Sequence, residues 1–391
     1  MNLFLKAAGA FSGVLTLAAT VHYYHSTTSV QKGNPGLAME TIETRGRIEE
    51  RILANDVPAP LPPSAPGGPL AVDAYKNVQV LGHVTSAEMT RIMTAISGWV
   101  APQQGCAYCH APQRDANGNV VKDEEGYVQA DLANMHSDEL YTKRVARRMI
   151  QMTMRINGDW QPHVKQTGVT CYTCHRGNPV PANIWFDEPV PEPSAMMGNK
   201  ADQNMPADVA GLTSLPATSL RPFLASDANI RVQSQEAIGS DNHASIKETE
   251  WTYSLMIHMS KSLGVNCTYC HNSRSMGAWE ASPPTRAQAW FGIRMVRELN
   301  RDYLEPLQSS LPAARLGPLH DGPKVNCATC HAGAFKPLLG ASMLKDYPVL
   351  AAAKPQPEPT PPPAPPVEAA PIGDAGAPRE AGAPDAGGPR R

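Results

Sequence analysis

The sequence predicts a mainly α-helical fold with long loops, and three observations predict it. Helix-like stretches that carry methionines recur along the chain, each a short loop ahead of a pair of cysteines. The 391 residues include 38 prolines and only 6% aromatic residues, which indicates a loop-rich chain. All eight cysteines fall in four copies of one motif, so bound apolar groups are expected to fill the interior. The net charge of −2 argues against a nucleic-acid partner.

The four motifs have the form C-x-x-C-H, which is typical of covalent c-type haem attachment. The two thiols add to the haem vinyl groups, and the adjacent histidine binds the iron. A zinc site, a redox dithiol or a set of disulfides would not need a histidine after every second cysteine in four copies. The sequence therefore predicts four covalently bound haem c groups. The cysteine pairs are Cys106 and Cys109, Cys171 and Cys174, Cys267 and Cys270, and Cys327 and Cys330, followed by His110, His175, His271 and His331.

Helix signals surround the motifs. The first helix opens with the capping-box pattern Thr85-Ser86-Ala87-Glu88 and runs to Trp99. The other predicted helices run from near Ser137 to Asn157-Gly158, from near Ser245 to Gly264, and from Ser282-Pro283 to about Tyr303.

Methionines on these helices are candidate sixth iron ligands. Methionine on a helix is more often core filler, but three methionine-bearing helices ahead of haem motifs favour ligation. A thioether opposite the histidine closes the iron and raises its reduction potential, which indicates electron transfer rather than substrate chemistry. Spacing alone does not choose between Met89 and Met93, or between Met256 and Met259.

The amino-terminal segment, residues 1–25, is predicted to be a transmembrane anchor. It is apolar from Leu3 to Tyr24 apart from Lys6, about the ~20 residues that a membrane-spanning helix needs. The alternative is a cleaved signal peptide with its cleavage site near Ala18 or Ala19. Either interpretation exports the rest of the chain from the cytoplasm.

Composition divides the remainder of the chain into three parts. Residues 26–69 are predicted to be an extended proline-rich linker, with six prolines in residues 57–69. Residues 70–353 form the predicted tetrahaem domain. Residues 354–391 contain 12 prolines with abundant Ala and Gly and are predicted to be disordered.

Four stretches of the sequence closely resemble the tetrahaem cytochrome subunit of purple-type bacterial photosynthetic reaction centres. The resemblance covers most of residues 70–350 and leaves out the proline-rich tail. The stretches are RIMTAISGWVAPQQGCAYCH, RVARRMIQMTMRINGDWQPHVKQTGVTCYTCHRGNP, SLMIHMSKSLGVNCTYCHNSRS and TRAQAWFGIRMVRELN.

The resemblance implies a multihaem cytochrome c with two pseudo-symmetric halves, each holding two haems, and a specific ligand set. The first three haems take methionine as sixth ligand and the fourth takes histidine. Met295 is the rival sixth ligand of the fourth haem and is interpreted as a core residue. The implied iron-ligand pairs are Met93 with His110, Met149 with His175, Met256 with His271, and His163 with His331.

The resemblance also implies a non-enzymatic electron carrier on the periplasmic face of the photosynthetic inner membrane. A soluble cytochrome c or high-potential iron–sulfur protein donates electrons, and the photo-oxidised bacteriochlorophyll special pair accepts them. The implied partners are the reaction-centre L and M subunits, with light-harvesting subunits as further contacts, and the third-motif haem lies nearest the pigments. The alternatives are a multihaem reductase, which needs an open iron site, and a quinol-oxidising membrane cytochrome, which uses mainly histidine ligands.

Two features depart from the family pattern. Residues 114–127, RDANGNVVKDEEGY, form a predicted surface loop that is longer than usual in the family. The cysteine of a lipid anchor is lacking because all eight cysteines belong to haem motifs. Arg286 and Arg294 are either solvated helix charges or residues that approach a haem propionate or the reaction-centre interface.

Overall fold

The computed structural model describes residues 20–37, 39–190, 204–205, 207–230 and 246–351. Most of the predicted anchor and the whole predicted tail, residues 354–391, lie outside the described residues. Within the described ranges, no helix is both long enough and apolar enough to cross a membrane.

The described residues are mainly helical, as predicted from the sequence. Two short strands, β1 (Thr27–Gln31) and β2 (Glu40–Thr44), form an antiparallel hairpin. The α-helices are α1 Arg45–Ala54, α2 Ala71–Ala74, α3 Ser86–Val100, α4 Tyr141–Asp159, α5 Gln161–Val164, α6 Cys171–His175, α7 Leu220–Leu224, α8 Ile246–Leu263, α9 Thr285–Glu298 and α10 Cys327–His331. Short 3₁₀ turns cover Gly105–Tyr108, Leu132–Asn134, Asp208–Ala210, Cys267–Tyr269, Glu305–Ser310, Ala313–Arg315, Pro337–Gly340, Leu344–Asp346 and Pro348–Leu350, and Leu299–Leu304 is a π-helical turn.

Helix α3 begins where the capping pattern predicts. The Thr85 hydroxyl accepts a hydrogen bond from the backbone N–H of Glu88 at 3.2 Å. Met89, Ile92 and Trp99 lie on its buried face. The apolar spacing and the cap therefore agree on the position of this helix.

Helix α4 begins at Tyr141, so the predicted start near Ser137 was wrong. The Ser137 hydroxyl accepts from the Glu139 N–H at 3.3 Å, which favours a turn instead of a helix at this point. The Asp138 carboxylate accepts from Arg147 at 2.8 Å. The polar residues that suggested a first helical turn therefore organise the loop ahead of the helix.

The two later helices lie where the sequence predicted them. Helix α8 ends at Leu263, and Gly264 follows in the left-handed region at φ +61°. Helix α9 continues through the π-helical turn, which includes the predicted end at Tyr303.

The segment between the predicted anchor and the predicted haem domain has regular structure in its first part. The hairpin and α1 occupy most of residues 27–54, whereas residues 55–69 contain no helix or strand. The hairpin contacts the third motif, since Lys32 Nζ donates to Gly264 O and the Met39 N–H donates to Thr268 Oγ1, both at 2.9 Å.

Two clusters of buried apolar side chains form the core. One surrounds α3, where Trp99 and Tyr347 meet edge to face with their ring centres 4.6 Å apart. The other surrounds α9 and includes Phe223, Leu255 and Phe291. Cys171 of the second motif belongs to the first cluster, and Val325, two residues before the fourth motif, belongs to the second.

Candidate haem-binding site

Each C-x-x-C-H motif occupies one helical turn, and the turns are of two kinds. The first and third motifs form 3₁₀ turns, with the histidine N–H donating to the first cysteine's carbonyl at 3.0 and 2.9 Å. The second and fourth motifs form the short helices α6 and α10. The kind of turn therefore alternates along the chain.

Reciprocal caps hold the second and fourth motifs. The Thr173 side chain accepts from the Thr170 N–H, and the Thr329 side chain accepts from the Asn326 N–H, both at 3.0 Å. In return, the side chains of Thr170 and Asn326 accept from backbone N–H groups in the first turn of α6 and α10. The residue after each histidine is left-handed, at φ +49° for Arg176 and +44° for Ala332.

Every motif histidine is held by a backbone carbonyl at its Nδ1 atom. His110 bonds Met135 O, His175 bonds Asn178 O, His271 bonds Met276 O and His331 bonds Ala334 O, each at 2.9 Å. A carbonyl acceptor fixes the tautomer that carries its proton on Nδ1. Nε2 then has the lone pair that a metal ligand needs.

One continuous cavity of about 370 Å³ reaches all four motifs. Its lining is mostly apolar, which suits a large macrocycle. The lining residues that the sequence singled out are Cys109, Cys171, Cys174, Cys270, Cys327, Cys330, Met149, Met259, Met295, His163, His175 and His331. The Sγ atoms of Cys174 and Cys330 are 2.8 Å apart, so the second and fourth motifs lie side by side.

The cysteines of the motifs have shifted pKa values. Burial raises the pKa of Cys109, Cys171 and Cys270 to about 11, and that of Cys327 to about 12. The contact between the two Sγ atoms raises the pKa of Cys174 and lowers that of Cys330. Within the described residues, no cluster of three or more His, Cys, Asp or Glu side chains could hold a metal ion. The paired thiols of each motif, each pair followed by a histidine, fit covalent haem attachment.

The structure brings His163 and His331 together, although they are far apart in the sequence. Their ring centres are 6.1 Å apart and their planes cross at 67°. Two imidazoles bound at ~2 Å to opposite sides of one metal ion would place their ring centres roughly 6 Å apart. Burial, with a smaller effect of His163, lowers the pKa of His331 to about 4, so this imidazole is neutral at neutral pH.

His163 is held by helix α9. Its Nδ1 lies 2.9 Å from Gln288 O, and the Gln288 side chain donates to His163 O at 3.0 Å. The imidazole thus has the same kind of backbone acceptor as the four motif histidines. Its Nε2 is the ring nitrogen left to bind a metal.

The predicted methionine ligands lie on three helices. Met93 is on α3 and packs beside the first apolar cluster, whereas Met256 is on α8 beside the second. Met149 is on α4 and lines the cavity with His175. Met295 is 6% exposed within the second cluster.

Two buried asparagines make the same contacts at two motifs, a role that the sequence did not reveal. The Asn157 side chain accepts from the Val169 N–H at 2.8 Å and donates to Val169 O at 2.9 Å. Asn300 makes the same two bonds with Val325, at 2.8 and 2.9 Å. Each valine lies two residues before the first cysteine of a motif, so each asparagine positions the helical turn of that motif.

Asn55 is a third positioning residue that the sequence did not reveal. This side chain, 2% exposed, accepts from the Leu338 N–H at 3.0 Å and from Arg176 at 3.3 Å. It donates to Arg51 O at 2.8 Å and to Ala332 O at 3.3 Å. Asn55 therefore ties the end of α1 to the second and fourth motif loops.

The two arginines singled out in α9 have different surroundings. Arg286 donates to Ala278 O at 2.9 Å and to Ser282 Oγ at 2.7 Å, and its guanidinium lies 5.0 Å from the centre of the Trp279 ring. Arg294 lies over Trp290 at 4.7 Å. Arg286 thus braces the loop after the third motif.

Four helical turns, each with two cysteines and an oriented imidazole and each reaching one apolar cavity, define a c-type cytochrome. The model of the photosynthetic reaction centre cytochrome C subunit family matches residues 24–351. The chain belongs to this family, so it is an electron-transfer subunit of a photosynthetic reaction centre, is membrane-associated and carries covalent haem c.

Curated relatives agree with the family match. The chain is 46% identical to the photosynthetic reaction center cytochrome c subunit of Rubrivivax gelatinosus over 327 residues, which covers 83% of this chain and 84% of that protein. It is 43% identical to the corresponding subunit of Thermochromatium tepidum, covering 82% and 74%. The subunit of Roseobacter denitrificans is 42% identical, covering 84% and 86%.

Proposed function

We propose that this subunit holds four haem c groups and passes electrons from a soluble periplasmic carrier to the photo-oxidised special pair. The observation that carries the proposal is that one apolar cavity is lined by at least one cysteine of each motif, and that a backbone carbonyl orients each of the four motif histidines. The haems supply the redox chemistry when bound. The chain orients the imidazoles and keeps water away from the bound groups.

The proposed methionine ligands are Met93, Met149 and Met256. The Gly177 N–H donates to Trp99 O and the Gly333 N–H donates to Ser262 O, both at 2.8 Å. Met93 lies six positions before Trp99, and Met256 lies six positions before Ser262. This correspondence favours Met93 over Met89 and Met256 over Met259.

For the fourth haem the proposed ligands are His331 and His163. The distance between their rings supports this pair. Met295 is the rival, but it packs in the apolar cluster around α9 and corresponds to Met152 of α4 instead of Met149. With these four sixth ligands, no iron would be open to a substrate, which favours electron transfer over a multihaem reductase.

The proposed architecture has two pseudo-symmetric halves with two haems each. We call residues 86–178 the first motif pair and residues 246–334 the second motif pair. Each pair has a helix, a 3₁₀ motif, a second helix and an α-helical motif in the same order. The repeated contacts of Asn157 and Asn300 support the equivalence.

The proposed membrane orientation places residues 1–25 in the membrane as an anchor and the third motif next to the reaction-centre L and M subunits. Tyr23 and Tyr24, at the end of the proposed anchor, are 44% and 47% exposed, as suits residues of a membrane interface. The hairpin follows within a few residues and bonds the third motif through Lys32 and Met39. These contacts support a short connection between the proposed anchor and the third motif.

Residues 70–353 form the proposed haem domain, and residues 354–391 form a tail that takes no part in haem binding.

Flash spectroscopy on membranes that contain this protein tests the proposal. Haem oxidation should follow the flash with the same time course as recovery of the bleached special pair. Membranes oxidised chemically before the flash are the control, and their special pair should recover slowly. Haems that stay reduced while the pair recovers would contradict the proposed role. The haem content per chain, measured by absorbance and intact mass, should be four.

A further inference from the structure

Gly292 lies in the middle of α9, directly beneath the His163 ring. A Cβ atom built on Gly292 would lie 2.5 Å from His163 Cε1 and 2.8 Å from His163 Nδ1. A side chain cannot lie this close to the His163 ring, because the hydrogen bond to Gln288 O holds the ring in place. The His163 imidazole therefore occupies space that any other residue at position 292 would fill.

The backbone does not require glycine at position 292. Gly292 is an interior helical residue without a positive φ, and glycine weakens a helix relative to alanine. The reason for glycine at this position is therefore the space that it leaves. That space is filled by a side chain from the first motif pair.

The repeated contacts show which residue of the first motif pair corresponds to Gly292. Thr142 in the first turn of α4 donates to Tyr108 O at 2.6 Å, and Thr285 in the first turn of α9 donates to Tyr269 O. Position 149 lies seven residues after Thr142, and Gly292 lies seven residues after Thr285. Asn157 and Asn300 keep the same spacing at the other ends of the two helices. The residue that corresponds to Gly292 is thus Met149.

We propose that Gly292 selects the sixth ligand of the fourth haem. Where α4 presents the thioether of Met149 to its own haem, α9 presents no side chain at the corresponding position and so admits the imidazole of His163. Gly292 is a positioning residue, since it acts through His163. The inference rests on the proposed ligand pair of His163 and His331.

Helix α9 also fixes the orientation of the His163 ring. The backbone carbonyl of Gln288, one turn before Gly292, accepts from His163 Nδ1 at 2.9 Å, and the Gln288 side chain donates to the His163 carbonyl. The same face of α9 thus leaves room for the ring and fixes its rotation. A side chain at position 292 would separate the ring from both contacts.

The first test is Gly292→Ala in the haem-loaded subunit, read by electron paramagnetic resonance and by potentiometric titration. The wild-type protein should show one haem with two imidazole ligands. In Gly292→Ala this signal should be lost, and the potential of that haem should change while the other three keep theirs. The matched control is Gly98→Ala in α3, because a Cβ at Gly98 meets no atom within 4 Å. The control should leave all four haems unchanged.

The second test is the double variant Gly292→Met with His163→Ala. The new thioether should take the vacated position, so the fourth haem should gain a histidine–methionine signature and a higher reduction potential. This variant removes the crowding, so it also tests the inference if Gly292→Ala alone does not fold. A fourth haem without a methionine signature would contradict the selection of the ligand by position 292.

The outcomes separate the inference from the ligand assignment on which it rests. If the wild-type protein lacks a bis-imidazole haem, the proposed pair of His163 and His331 is wrong. If that haem is present and survives Gly292→Ala unchanged, the pair stands and the role of Gly292 is wrong.

Discussion

The first and second motif pairs hold their haem turns with the same contacts but connect them differently. The buried asparagine and its valine are 12 residues apart in the first pair and 25 in the second. The motif histidine and its carbonyl acceptor are 25 residues apart at the first motif and 5 at the third. The positioning contacts therefore recur, whereas the loops between them vary in length.

The two pairs differ in the segment that follows the buried asparagine, and this difference explains why the first pair supplies the histidine that faces His331. After Asn157 the first pair continues into the short helix α5, which carries His163. After Asn300 the second pair continues through the π-helical turn and 3₁₀ segments instead. The imidazole that faces His331 consequently comes from the first pair, so the proposed site of the fourth haem joins the two pairs.

The largest expected effect comes from removing a buried asparagine. Asn157→Leu and Asn300→Leu should each lower the free energy of unfolding by on the order of 5 kcal/mol, because each leaves a buried N–H and two carbonyls unpaired at ~1–3 kcal/mol per group. Denaturant unfolding followed by circular dichroism gives these values. Gln151→Leu, an exposed amide on α4, is the control and should have little effect. Clearly unequal losses at the two asparagines would contradict their equivalence.

Asn55→Ala should have a smaller effect of about 3 kcal/mol, since its partners lie partly at the protein surface. It removes contacts to Leu338 and Ala332 near the fourth motif and to Arg176 at the second. Hydrogen exchange should therefore increase around both of these motifs and stay unchanged at the first motif, residues 105–110. Faster exchange at the first motif alone would contradict the positioning role.

Lys143→Met should lower the reduction potential of the first-motif haem. Lys143 Nζ donates to Met135 O at 2.7 Å, and this carbonyl also accepts from His110 Nδ1. Loss of the ammonium would make the carbonyl a stronger acceptor and the imidazole more basic, which stabilises oxidised iron. A tenfold change in the redox equilibrium, ~59 mV for one electron, is the expected scale.

Arg144→Met is the control for Lys143→Met, because it removes the same charge from the neighbouring, exposed position of α4 without touching Met135 O. Potentiometric titration compares the two variants. Equal shifts in both would mean that long-range charge, and not the contact with the carbonyl, sets the potential.

The smallest expected effect is a pH dependence of the hairpin and of the third-motif residues that it contacts. The hydrogen bond from Arg51 lowers the pKa of Glu43 below 4.5, with a further contribution from Lys32. A carboxylate with a lowered pKa in the folded state stabilises the fold above pH 4.5 and loses that contribution as the pH falls through its folded value. The ion pairs contribute roughly 0.5–1 kcal/mol. Acidification should loosen the hairpin and increase hydrogen exchange at residues 264–268, which it contacts. Glu43→Gln should remove this pH dependence; a variant that keeps it would place its origin elsewhere.

Local features of the chain could be predicted from the sequence because they depend on neighbouring residues. The four motifs identify covalent haem attachment, and Thr85 and Gly264 mark helix ends through bonds within one turn. The predicted start of α4 was wrong because Asp138 lies in the loop before the helix. Its carboxylate accepts from Arg147 there, a contact that local patterns do not reveal. Residues 27–44 form a hairpin whose contacts with Gly264 and Thr268 are distant along the chain and have no local signal.

The sequence by itself determined the chemistry of attachment, four cysteine pairs each followed by a histidine, and the mainly helical class of the fold. Tertiary structure decided which residues complete the site. The positioning contacts of Asn157, Asn300 and Asn55 have no local signal, because each side chain bonds groups that are distant along the chain. The meeting of His163 with His331 depends likewise on the space above Gly292, which exists only once α5 packs against α9.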